Sequence, residues 1–307
     1  MTDEQTPEAP DATTDATPDW AHSFGGVVDA YERGRPTYPE DAVRWLLGET
    51  PATVLELGAG TGKLTRVIVA LGHDVHATDP DRAMLSKLEA NLPGVHTVLA
   101  GAEDIPLPDR SVDVVVAAQA FHWFDLDRAL PEIARVLRPG GRIALVWNQR
   151  NEKIPWVRKL GRLIGTQEQL SEPADALIYS ELFGFVEDAT FSHWQMVDRQ
   201  SIQDLVLSRS NVAVLDEQGR AAKLAEVLAL YDDYGRGMDG MQLPYVTRCF
   251  RAQVLDRPRP AGDTTDDADD SDGAHGADGT DAERRRRRDA DDPPHDGPDP
   301  DLLIDFR

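Results

Sequence analysis

Three short stretches of this sequence carry residue types and spacings that can do chemistry. The first is Glu56-Leu57-Gly58-Ala59-Gly60-Thr61-Gly62, which ends the apolar run Thr53 to Leu57 and leads into an amphipathic stretch beginning at Lys63. Glycines at such a strand-to-helix junction let the chain turn sharply and let a ligand approach main-chain N–H groups at a helix N-terminus. A dinucleotide fingerprint counted from Gly58 wants its third glycine at position 63; this chain has Lys63 there and Gly62 one residue earlier. The second is Asp79, about 20 residues further on, the spacing at which a carboxylate meets the hydroxyls of a ribose. It can accept from both hydroxyls, or it can cap the helix that follows, a task for which Asp81 is equally placed. The third is Gln119-Ala120-Phe121-His122-Trp123-Phe124, after the most apolar run of the chain. His122 can take a proton from a nucleophile or only orient a substrate, and the Trp123 face suits a cation.

Such residues work only where a scaffold holds them, and the chain between Ala52 and Trp147 has the pattern of one. Apolar runs of β type at 53–57, 74–78, 95–99, 112–117 and 142–147 alternate with helical spacing at 63–71, 81–91 and 126–137. That alternation predicts βαβ units and a parallel sheet. The run from Val112 is nearly all apolar, as a strand covered on both faces must be. Upstream, Glu40 to Leu47 follows Pro39 with Ala42, Val43, Leu46 and Leu47 on one helical face. Downstream, 155–169 and 220–231 read as helices and 243–250 as a late strand, which closes the sheet with an antiparallel edge strand. Ligand crevices of open α/β sheets lie beyond the carboxyl ends of the strands, so all three stretches fall at one end of the molecule.

Composition sets the bounds around this core. The chain has 307 residues and a formal net charge of -23. Residues 1–19 hold 6 acids and no bases, and 257–307 hold 16 acids and 8 bases, so these ends carry most of the charge. Neither end has the apolar content to offset its ordering entropy, and both are expected to be disordered. A domain over residues 20–256 remains. An acidic surface repels phosphate backbones and anionic membrane faces, so neither nucleic acid nor a membrane is an expected partner. The Arg284 to Arg288 run is flanked by Asp and reads as a locally neutralised stretch. One cysteine, Cys249, allows no intrachain disulfide and no zinc cluster, which suits a reducing compartment; with no signal peptide and no apolar span, the expectation is a cytoplasmic protein without a metal. The oligomeric state is open.

Four motifs in order give the chain a resemblance to the class I S-adenosylmethionine (SAM)-dependent methyltransferases, in particular the methyltransferase type 11 group. They are Glu56 to Gly62, then Asp79-Pro80, then Gly101-Ala102-Glu103-Asp104-Ile105-Pro106-Leu107, then Leu137-Arg138-Pro139-Gly140-Gly141. The likeness is close from about residue 31 to 147, the cofactor half, and looser over 148–256, the substrate side. Trans-aconitate-type enzymes look similar at His122-Trp123 and at Tyr31-Glu32-Arg33-Gly34-Arg35-Pro36-Thr37-Tyr38-Pro39.

The resemblance implies a Rossmann-like class I methyltransferase fold of the α/β class, a mostly parallel seven-stranded sheet with helices on both faces. It places Glu56 and the loop Gly58, Ala59, Gly60, Thr61 and Gly62 at the methionine end of SAM, Asp79 and Pro80 at the ribose, and Ala102 and Glu103 at the adenine. Many relatives have Asp where this chain has Gly101, so its adenine contacts fall to Glu103 or to backbone groups. Tyr31 and Arg35, with Tyr38, form a lid over the cofactor in this reading, or else a surface turn around Pro36 and Pro39; Arg35 suits a carboxylate of SAM or of the acceptor. Gln119 joins the cofactor set, and His122, Trp123 and Arg35 face the acceptor. The implied activity is methyl transfer from SAM to a small molecule, with a carboxylate as the acceptor group the resemblance suggests. The alternatives are a SAM-binding protein without turnover and a nicotinamide-dependent oxidoreductase, the latter opposed by Lys63 and by Arg138 to Gly141.

Overall fold

The five runs become the five parallel strands of one sheet. The computed structural model describes residues 28–165, 173–234 and 240–255, so the ends 1–19 and 257–307 expected to be disordered lie outside the described residues. Helices α1 (Val28–Gly34) and α2 (Glu40–Leu47) lead into β1 (Thr53–Leu57), α3 (Lys63–Ala70), β2 (Asp74–Asp79), α4 (Arg82–Asn91), β3 (His96–Leu99) and β4 (Val112–Ala118). A single 3-10 turn at Phe121–Trp123 precedes α5 (Leu126–Val136) and β5 (Leu137–Arg150). Then come α6 (Pro155–Ile164), α7 (Pro173–Tyr179), β6 (Phe183–Val197), α8 (Arg199–Leu207), α9 (Ser210–Ala213), α10 (Glu217–Tyr234) and β7 (Met241–Val254).

The strand order is β3-β2-β1-β4-β5-β7-β6. The first five run parallel, and β7 is antiparallel to both β5 and β6. The antiparallel strand of this Rossmann-like class I methyltransferase fold therefore sits one place in from the edge, and β6 closes the sheet. The order reverses between β1 and β4, which puts the crevice of the sheet at their carboxyl ends.

Helices cover both faces, as the buried runs require. On one face α2 and α3 bury Val43, Leu46, Leu64 and Ile68 against Val54, Val114, Val116 and Val146. On the other, α5 buries Ile133 and Val136 against Leu55, Val115, Ile143 and Leu145, with Trp147 and Phe250 beside them. A third cluster joins α6, α8 and α10 to the start of β7 through Leu160, Leu205, Val227 and Leu243.

Two differences from the sequence reading bear on the site. Strand β5 runs three residues past Trp147, because Asn148, Gln149 and Arg150 pair with Thr247, Val246 and Tyr245 of β7. Strand β6 has no counterpart in the reading. It is an edge strand that alternates half-buried and exposed side chains, with Phe185, Trp194 and Met196 turned outward, so it lacks the apolar run that marked the others.

Candidate active site

The Gly58 to Gly62 loop leaves β1 at the sheet's crevice with Gly58, Gly60 and Gly62 all at positive φ. A Cβ on Gly58 would stand 2.5 Å from the Ala120 Cβ, so glycine there is required both by the backbone and by the space. Three of the loop's N–H groups are engaged inside the fold: Ala59 donates to Thr78 O, Gly60 to Asp79 Oδ2 and Gly62 to Ala59 O. A Cβ on Gly62 would likewise meet Leu88 at 2.9 Å, so of the three glycines it is Gly60 that presents an open face, with the Tyr31 ring 3.9 Å away. Behind it the buried Glu56 accepts from Thr65 Oγ1 at 2.6 Å, and burial pushes its carboxyl up to about 8.

Asp79 is a buried carboxylate held by two backbone donors, Gly60 N at 2.8 Å and Asp81 N at 2.9 Å, on different oxygens. Burial raises its pKa to about 6. Asp81, not Asp79, caps α4, accepting from Ala83 N and Met84 N. Each Asp79 oxygen keeps a lone pair, since an ionised carboxylate has about four acceptor positions. That is the valence two neighbouring hydroxyls need. Pro80 is exposed next to it, and Ala102 is buried after β3. Glu103 Oε1 accepts from Asp125 N at 2.9 Å, while its other oxygen lies 2.6 Å from where a Gly101 Cβ would be. The Glu103 carboxylate therefore fills the position from which an aspartate at 101 would start.

Helix α1 closes over this loop. Glu32 accepts from Thr61 Oγ1 at 2.6 Å, Lys87 Nζ reaches Asp29 at 2.7 Å, and Arg33 makes a two-pronged bond to the buried Asp204 of α8. Tyr31 is carried to within 3.9 Å of where a Gly60 Cβ would lie, and the Arg35 guanidinium stands 5.4 Å from the centre of the Tyr31 ring. These ties hold α1 to the glycine loop, to α4 and to α8. Tyr38 is buried and hydrogen-bonds the Gln119 side chain; burial raises its phenol well above the ordinary value. Gln119 itself has φ +58, a conformation uncommon for a residue with a side chain and stored most often at functional sites. Its amide Nε2 donates to Asn148 O at 3.3 Å.

Past Gln119 the chain turns through Phe121, His122 and Trp123. Phe121 anchors the turn, edge-on to Phe124 and Trp147 in the core. His122 and Trp123 are exposed and lie 4.5 Å apart, ring to ring. Surrounding protein lowers the His122 pKa from its usual value. Among the described residues no carboxylate or carbonyl hydrogen-bonds the His122 ring, so nothing fixes its tautomer as a second group fixes that of a dedicated base.

A methyltransferase domain family model matches residues 55–145, the stretch that holds the loop, Asp79, Glu103 and the Phe121 turn. Over 239 residues the chain is 47% identical to an uncharacterized methyltransferase of Mycobacterium tuberculosis, a match covering 77% of this chain and 97% of that relative. This chain belongs to the SAM-dependent methyltransferases. A shorter match, 44% identity over 104 residues, covers 32% of this methyltransferase and 38% of a malonyl-[acyl-carrier protein] O-methyltransferase of Methylococcus capsulatus. Among solved structures, one from Anabaena variabilis, ascribed to antibiotic biosynthesis as a methyltransferase, superposes with a TM-score of 0.52 at 21% identity, covering 69% of this chain and 95% of that one. It shares the fold.

The methyltransferase also brings together, where β5 ends and β7 begins, residues that no local pattern announced. Asn148 and Arg150 end β5 and pair with Thr247 and Tyr245 near the start of β7, Glu152 follows β5, and Ser208 and Arg209 follow α8, where Ser208 is held by Arg35. The one available sequence signal was the polar extension Asn148-Gln149-Arg150 to an otherwise apolar strand.

Proposed function

We propose that this enzyme transfers the methyl group of SAM to the carboxylate of a small molecule. In this reading Glu56 and the Gly58 to Gly62 loop meet the methionine end of the cofactor, Asp79 its ribose, and Ala102 with Glu103 its adenine, while Tyr31 and Gln119 close over it. The residues present fit SAM at two points: a Cβ on Gly60 would meet nothing nearer than the Tyr31 ring at 3.9 Å, so the loop is open there, and Asp79 is pre-oriented with one open acceptor position on each oxygen. SAM supplies a methyl group already activated on a sulfonium, so the transfer is an in-line displacement.

The chain's own part is alignment and exclusion of water, for which intramolecular analogues suggest roughly 7 to 11 kcal/mol of the barrier. Tyr31 and Tyr38 supply apolar cover, and Gln119, fixed between Tyr38 and Asn148 O, sets the edge of the crevice. A carboxylate nucleophile is already anionic and needs no base. His122 and Trp123 then serve to place the acceptor. The observation that carries the reading is Arg35, a guanidinium fixed by two bonds of 2.9 Å to Ser208 and laid against Tyr31 at the mouth of the cofactor loop. The O-methyltransferase relative and the trans-aconitate-type likeness at Tyr31 to Pro39 and His122-Trp123 support the same acceptor chemistry.

The test is a metabolite extract incubated with the protein and methyl-labelled SAM. A product heavier by one methyl that releases labelled methanol on mild alkaline hydrolysis is the expected result, since a carboxyl ester hydrolyses and an N-methyl or C-methyl group does not. A base-stable product rules out the carboxylate acceptor and moves the reading to an amine or a carbon.

A further inference from the structure

We infer that Asn148 is a positioning residue of this methyltransferase: from the end of β5 its side chain sets the place of Tyr38, and through Tyr38 that of Gln119, at the crevice. The role rests on the placement of SAM against Gln119 proposed above. It goes beyond that placement, since Asn148 acts from behind the residues that meet the cofactor.

Ala144 and Val146 of β5 are core residues under α2 and α3, and the alternation of a strand puts Asn148 next in their row. Asn148 is as buried as they are, yet it is an amide where the row calls for an apolar side chain. Its Nδ2 donates to Thr37 O at 3.0 Å, and its Oδ1 accepts from Thr247 Oγ1 at 2.6 Å. A carbonyl only accepts, so the amide faces Thr37 one way round, and the Thr247 hydroxyl spends its single proton on Oδ1. His193 Nδ1, 3.1 Å from Thr247 Oγ1, is then the donor in that contact. The orientation of Asn148 is thus fixed from β7 and β6 on one side of it.

On the other side the bonds close into a ring. Thr37 and Tyr38 belong to the irregular stretch between α1 and α2. Tyr38 follows the carbonyl that Asn148 holds, and it hydrogen-bonds the Gln119 side chain. Gln119 Nε2 donates back to Asn148 O at 3.3 Å, and Gln119 N donates to Val146 O at 2.9 Å. Gln119 needs this support, because a residue with a side chain keeps φ +58 only where its surroundings over-determine it. Ala120, next in the chain, packs against Gly58, where a Cβ would stand 2.5 Å away. A shift of Gln119 is therefore felt at the glycine loop.

The experiment uses the full chain, with S-adenosylhomocysteine as the probe in calorimetry. In the pair Asn148→Val with Thr247→Val, both partners of a buried bond become apolar, a change that is close to neutral for stability, while Thr37 O loses its donor. The pair is expected to keep its melting temperature to within about 4 °C and to weaken the probe about ten-fold or more. Asn148→Asp serves beside it in case the pair does not fold: its carboxylate still accepts from Thr247 but has no proton for Thr37 O, so the same loss is expected. Tyr38→Phe is expected to weaken the probe in the wild type and to add less than about two-fold in the Asn148 variants, a coupling in affinity that a merely structural residue would not show. Probe affinity within about two-fold of wild type in the folded Asn148 variants would overturn the inference, as would Tyr38→Phe and Asn148 losses that multiply independently. Gln119→Ala separates this failure from that of the parent placement. Weaker binding in Gln119→Ala beside wild-type binding in the Asn148 variants sinks the inference alone, whereas wild-type binding in Gln119→Ala sinks the cofactor placement and the inference with it.

Discussion

The contact between Gly58 and Ala120 can be tested by a double-mutant cycle, because it joins the Gly58 to Gly62 loop to the segment that enters the Phe121 turn. In Gly58→Ala the new Cβ is placed at φ +69, and it stands 2.5 Å from the Ala120 Cβ. The left-handed backbone costs a residue with a Cβ about 1 to 2 kcal/mol, and overpacking of a tight contact typically adds ~1 to 3 kcal/mol. Reduced freedom of the unfolded chain returns about 0.4 to 1 kcal/mol. The net expectation is a loss of roughly 2 to 4 kcal/mol, dominated by two terms that can be separated. Ala120→Gly alone removes a buried methyl and stiffness from the chain, at about 1 to 2 kcal/mol. In the double variant the steric term disappears and the backbone term stays, so the two losses fall short of additivity by roughly 1 to 3 kcal/mol. Urea unfolding followed by tryptophan fluorescence and by far-UV circular dichroism, with coincident transitions, measures each corner of the cycle. Losses that add to within about 0.5 kcal/mol would refute the contact, and with it the claim that the cofactor loop and the Phe121 turn are packed as one unit.

Three further outcomes are expected. Asp79→Ala should weaken SAM by roughly 1.5 to 3 kcal/mol while the protein stays folded, and wild-type affinity should fall as pH drops through about 6, where the Asp79 carboxylate takes up a proton; calorimetry at pH 5 and pH 8 would show a flat profile if the ribose assignment is wrong. Glu56 has a folded-state pKa of about 8 against 4.5 in the unfolded chain, so the folded state keeps a proton that the unfolded state loses. Stability of the ligand-free protein should therefore decline between these values by at most about 1.4 kcal/mol per pH unit from this group, and Glu56→Gln should flatten that slope in pH-dependent denaturation. His122→Gln should raise KM more than it lowers kcat, the pattern of a residue that binds ground state and transition state alike; a loss of roughly 10²-fold in kcat would make it a general base and move the acceptor away from carboxylates.

Much of the cofactor half was legible in the chain as written. Buried parallel strands need apolar runs, so β1, β4 and the middle of β5 announced themselves, and a loop that needs positive φ at Gly58, Gly60 and Gly62 shows it as glycine. The division of labour between Asp79 and Asp81 was open in the sequence, since either carboxylate sits at the right distance to cap α4. Tertiary structure decided it by giving Asp81 the α4 cap, Ala83 N and Met84 N, and turning Asp79 towards the loop. Strand β6 was hidden because an edge strand buries little and so needs no apolar run. The guanidiniums of Arg35, Arg150 and Arg209 were hidden for a different reason: residues 35, 150 and 209 share no local pattern, and they meet only because α1 is tied to α8 by Arg33 and Asp204 while β7 lies between β5 and β6. Local spacing determined where the cofactor loop would be. Which residues stand beside one another where β5 ends and β7 begins was decided by long-range pairing, since side chains brought together from separate elements leave no periodicity in the sequence.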